Sequence, residues 1–102
     1  MPLEKGNLAS WANFEDLYLF LSAGQKVIYF NIESRVWKEA PLLNESRSYH
    51  SSCSLGGKVC IFGGYNDVNF WLSSIEFFDA QTYFNDNEQG VWEMIELKYF
   101  RF

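Results

Sequence analysis

Arg47-Ser48-Tyr49-His50-Ser51-Ser52-Cys53-Ser54-Leu55-Gly56-Gly57-Lys58-Val59-Cys60-Ile61-Phe62-Gly63-Gly64 decides the fold of this 102-residue chain. Two short runs flank Gly56-Gly57, and a second glycine pair closes the second run. A Gly-Gly link of this kind is a hairpin signal. The loop needs positive φ at its centre, and glycine reaches that region without steric cost. Gly63-Gly64 ends a strand instead of joining two, which suits a sharp turn or a close approach of a neighbouring backbone. Strands are expected over 49–54 and 58–62.

Outward from this hairpin the same rhythm continues. Leu17–Leu21 and Lys26–Asn31 are almost wholly apolar, as in strands buried on both faces. Arg35–Ala40 alternates charged and apolar residues and is stopped by Pro41, which cannot donate to a ladder. Downstream, Ser74–Asp79 and Gly90–Leu97 read as strands. Leu42–Arg47, Tyr65–Ser73 and Ala80–Gln89 read as loops. Turn signals interrupt every few residues, and no apolar spacing of three and four persists over ten. The class expected is all-β, with no helix.

The order of signals resembles a Kelch repeat. Arg47 and His50 precede the glycine turn Gly56-Gly57, and an apolar run then ends in Gly63-Gly64. Phe77-Phe78-Asp79 and Trp92 complete the pattern. A weaker copy lies upstream, where Tyr29-Phe30-Asn31 matches Phe77-Phe78-Asp79 and Trp37 matches Trp92, 55 positions apart. Asn31 to Trp37 is six positions and Asp79 to Trp92 is thirteen, so the second copy carries an insertion at Thr82–Gln89. The first copy has Ser22-Ala23 where the double glycine would stand.

The resemblance implies a partial β-propeller of about two four-stranded antiparallel blades. The expected divisions are an N-terminal arm over 1–11, a degenerate partial blade over 12–41, a Kelch blade over 42–97, and a tail or further strand over 98–102. Blades of this type bury both sheet faces against their neighbours. Trp37 and Trp92 are expected between adjacent blades, and Arg47 and His50 in structural roles.

Lys and Arg number 8 against 13 Asp and Glu, a net charge of −5. There is no basic patch to neutralise phosphates, which argues against nucleic acid. No apolar run approaches the roughly 18–20 residues of a membrane helix, and no secretory signal is visible. A cytoplasmic location follows as the expectation. Cys53 and Cys60 read as reduced thiols, with a bridge across the hairpin as the other reading.

Chemistry finds little support. His50 and Cys53 are three apart, so a strand points them to opposite faces. One His and two Cys do not make a zinc site. Neither glycine pair leads into a phosphate-binding helix. No cofactor, no metal and no catalytic residue is expected. The reading is a non-enzymatic protein-interaction module or scaffold, with partners being another protein, further blades or a second copy. The alternatives are one wall of an enzyme site in a larger propeller, as in the Kelch-built galactose oxidase, or a purely structural segment. The candidate partner-binding loop is Tyr65, Asn66, Asp67, Asn69 and Trp71, which mix aromatic and polar groups as contact hot spots do.

Overall fold

The computed structural model describes residues 9–97. Strands β1 (Ser10–Phe14), β2 (Tyr18–Ala23), β3 (Lys26–Asn31) and β4 (Val36–Glu39) form an antiparallel sheet in chain order. The second sheet begins with β5 (Ser51–Leu55) and β6 (Lys58–Phe62). A small hairpin follows, β7 (Tyr65–Asn66) with β8 (Phe70–Trp71). The chain then returns through β9 (Ser74–Phe78), helix α1 (Ala80–Asn85) and β10 (Glu93–Glu96). The second sheet is ordered β10-β9-β6-β5 and is antiparallel throughout. The architecture is the expected one, two four-stranded antiparallel blades.

Gly56 and Gly57 have φ of +56° and +79°, the paired left-handed geometry of a tight two-residue hairpin. The first sheet uses Gly24, at φ +62°, between β2 and β3, but no glycine between β1 and β2. Glu15 and Asp16 take φ of 53° and 57°, held by a hydrogen bond from the Asp16 backbone N–H to the Asn13 side-chain oxygen at 2.9 Å.

The core lies between the sheets. Period-two alternation aims Phe20, Val27 and Tyr29 at Val59, Ile61 and Phe78. Each such apolar side chain contributes very roughly 1.5–3 kcal/mol when fully buried. The strands β1 and β5 meet through hydroxyls. The Ser52 Oγ donates to the Trp11 carbonyl at 2.9 Å, which leaves Ser10 Oγ as donor to Ser52 Oγ. The Ser54 Oγ donates to the Asn13 carbonyl. A row of serines on β5 thus replaces a direct strand ladder.

Four expectations need correction. The segment 80–89, read as loop, holds α1. Asp79 caps it by accepting from the Thr82 N–H at 3.0 Å. The helix turns Tyr83 and Phe84 into the end of the seam, where Phe84 stacks on Tyr18 at 3.8 Å. The inserted residues therefore plug the core. Second, the loop 65–73 contains β7 and β8. Third, Ser10 and Trp11 belong to β1 and not to an arm. Fourth, the last strand starts at Glu93. Arm residues 1–8 and the tail 98–102 lie outside the described residues.

The tryptophans are equivalent in direction. Trp92 is buried against Phe78 at 5.0 Å and donates from Nε1 to the Pro41 carbonyl at 2.9 Å, across the seam toward the first sheet. Trp37 stands opposite Phe30 on the far side of the first sheet, against Phe30 and Trp11. Only Trp92 lies between the two described blades. Among the described residues no helix is long and apolar enough to cross a membrane.

Candidate functional site

One buried ion pair organises the rim that carries the candidate loop. Arg47 and Glu76 are both wholly buried. The guanidinium uses all five of its N–H groups. Nε and Nη2 donate to Glu76 Oε2 at 3.2 and 3.1 Å. Nη1 donates to the Gly63 and Ser74 carbonyls at 2.9 and 3.1 Å, and Nη2 to Ser74 Oγ at 2.7 Å. The carboxylate also accepts the backbone N–H of Asn44 at 2.6 Å and of Glu45 at 3.0 Å. Loop 42–46 and the end of β6 are thus stapled to one strand residue. The backbone extends the staple. Arg47 exchanges hydrogen bonds with Gly24, and Ser48 with Tyr65.

On this frame the β7–β8 hairpin projects outward. Asn66 Oδ1 accepts the N–H groups of Val68 and Asn69 and shapes the turn. Asn66 Nδ2 donates to the Ser46 carbonyl and to Glu45, and Asn69 Nδ2 also reaches Glu45. Asn66 and Asn69 therefore hold the two rim loops together. Asp67 is exposed. Tyr65 meets Trp71 edge-on at 5.2 Å and lies 6.3 Å from Phe70. Phe70 and Trp71 remain more than 60% exposed, and neither tucks into the two sheets. Tyr49 and Phe70 both hold left-handed backbone, φ 56° and 57°. A hollow of about 270 Å³ beside them is lined by Ser46, Ser48, Tyr49, Tyr65, Asn66 and Asp67.

The remaining motif residues build the blade. His50 is buried, and its Nε2 lies 2.9 Å from Ser22 Oγ in the first sheet. Burial, with the Arg47 charge behind it, pushes the imidazole below its ordinary pKa, so the ring is neutral. Its Nδ1 has no hydrogen-bond partner among the described residues. Cys53 stands on the other face of β5. Gly64 has φ +93°, and a Cβ there would lie 2.6 Å from the Ser48 carbonyl oxygen. Gly63 presents its carbonyl to Arg47, and Asp79 caps α1.

A second hollow of about 280 Å³ lies at the helix end of the seam, beside Tyr18, Tyr29, Lys38 and Glu88. Burial first, then the neighbouring Tyr83, raises the Tyr29 phenol far above its ordinary range. Of the two hollows, the one at the rim is bordered by an exposed aromatic side chain, Tyr49.

Glu76 was not visible as a site residue in the sequence. Its signal was a carboxylate within Ser74–Phe78, at a position whose neighbours of the same parity face the core.

Comparison with known proteins agrees with this geometry. The Kelch motif family model matches residues 46–83. Two F-box/kelch-repeat proteins of Arabidopsis thaliana are similar. One is 31% identical over 77 residues, covering 74% of this chain and 19% of that protein. The other is 28% identical over 76 residues, covering 74% and 18%. The chain spans about a fifth of the length of these relatives. With its glycine turns, the cap at Asp79 and the buried Trp92 in place around it, the segment 46–83 carries a Kelch motif.

Proposed function

We propose that the chain is a non-enzymatic protein-binding module whose contact surface is the β7–β8 rim. The observation that carries this is the exposure of Phe70 and Trp71 on a hairpin anchored by a buried ion pair. Large aromatics on a rigid support lose little entropy on binding, and such residues dominate contact energies. The printed names of the relatives join an F-box to Kelch repeats, which supports a protein as partner. Tyr65, Asp67 and Trp71 would make the contact, with Asn66 and Asn69 as its supports. A cytoplasmic scaffold is the setting we favour.

A second reading is association through the outer sheet faces, with further blades or another copy. It is favoured by the exposure of Trp11 on the first sheet and of Leu55 and Ile95 on the second. One experiment separates the two. Tyr65→Ala and Trp71→Ala should each weaken capture of a protein partner at least tenfold while leaving the unfolding midpoint in place. Undiminished capture removes the rim. Concentration-dependent sedimentation that ignores both substitutions assigns association to the outer faces.

A further inference from the structure

Cys53 on β5 and Cys60 on β6 are directly opposed in the antiparallel register. Directly opposed residues project from the same face of a sheet. Counting from the two-residue turn, Leu55 and Lys58 close the hairpin as a hydrogen-bonded pair. Ser54 and Val59 then form a non-hydrogen-bonded pair, and Cys53 and Cys60 a hydrogen-bonded pair again. That places their Cα atoms about 5.5 Å apart, within the roughly 4.4–6.8 Å that a disulfide spans. The side chains share the outer face of the second sheet, away from the first. Cys53 is exposed and Cys60 is buried beside it. Burial, with Cys53 beside it, pushes the Cys60 thiol up.

We infer that Cys53 and Cys60 form a reversible cross-strand dithiol–disulfide pair, driven by exchange with a low-molecular-weight disulfide such as glutathione disulfide. The exposed Cys53 reacts first. Its thiolate attacks one glutathione sulfur, the Cys53–glutathione bond forms, and the glutathione disulfide bond breaks. The departing glutathione thiolate takes up the proton that Cys53 released. The Cys60 sulfur then loses its proton, attacks Cys53 Sγ, and expels the second glutathione, which takes that proton. Two protein thiols are oxidised and one glutathione disulfide is reduced to two thiols. Because the bond spans a hydrogen-bonded pair and Cys53 faces solvent, the product is open to reduction, as labile disulfides are. The pair makes the chemistry of the second sheet's outer face depend on the surrounding thiol poise.

The test is intact mass spectrometry of the full chain after equilibration with glutathione disulfide, followed by alkylation under denaturing conditions. The expected product is a monomer lighter by two hydrogens that takes up no alkylating agent and recovers both thiols on reduction. Cys60→Ser should stop at a stable glutathione adduct on Cys53, and Cys53→Ser should stay unmodified. The inference is overturned if the wild type halts at the Cys53 adduct with Cys60 still alkylatable. It is equally overturned if the product is a disulfide-linked dimer, or if both thiols stay free.

Discussion

Removing the Arg47–Glu76 pair should unfold the second blade from its rim inward, and replacing it by apolar residues should not restore it. In many proteins a buried ion pair can be exchanged for hydrophobic residues at little cost, because its Coulomb gain only offsets desolvation. This pair differs because it satisfies backbone groups. Arg47→Ala leaves a buried carboxylate without its cation, a loss of about 3–5 kcal/mol. The double change Arg47→Met with Glu76→Leu removes both charges. It also strands the N–H groups of Asn44 and Glu45 and the carbonyl of Gly63, which the pair now satisfies. The Gly63 carbonyl is buried and costs about 1–3 kcal/mol when orphaned, while water can reach the two loop N–H groups, so the double variant loses about 1–3 kcal/mol. Domains of this kind hold only about 5–15 kcal/mol in total. Urea unfolding followed by tryptophan fluorescence reads the effect, with the buried Trp92 as reporter. With m near 1–3 kcal/mol per molar, a loss of 3 kcal/mol moves the midpoint by about 1–3 M. A double variant as stable as the wild type would refute the argument that the pair serves the backbone.

Two further outcomes follow from the same seam. His50 has a folded-state pKa below its unfolded value, so its contribution to stability is full above about pH 6.5 and is lost as pH falls through the folded pKa. Thermal unfolding between neutral pH and pH 5 should show this loss, and His50→Gln should flatten it; an unchanged slope would remove His50 as the cause. Gly64→Ala should prevent folding, because its Cβ would meet the Ser48 carbonyl oxygen at 2.6 Å. Gly56→Asn should cost about 1 kcal/mol or less, since open space surrounds that position and Asn tolerates φ near +56°. Circular dichroism of the two variants checks the contrast, and a folded Gly64→Ala protein would contradict it.

Much of the blade was legible because its signals are local. Gly56-Gly57 states its own turn, and the apolar runs state their own burial. The helix escaped because Ala80–Asn85 makes under two turns, too short for periodicity to register. Its signals were there in Asp79 as cap and in Ala80, Tyr83 and Phe84 at helical spacing. The partnership of Arg47 with Glu76 escaped for another reason. The residues are 29 positions apart, and nothing in either neighbourhood announces a complementary charge. Trp37 and Trp92 were matched correctly by spacing, yet their burial differs because a preceding sheet covers only one of them. The rim residues were singled out by composition alone. Their division into supports, Asn66 and Asn69, and exposed groups, Phe70 and Trp71, needed coordinates.

The backward reach of Trp92 toward Pro41 makes the seam polar, with a front and a back that are different surfaces. Adding another sheet by the same contact is therefore a head-to-tail operation. Such growth either bends round until it closes as a ring or continues without limit. A two-fold symmetric pair cannot reproduce this joint, since it would have to set front against front.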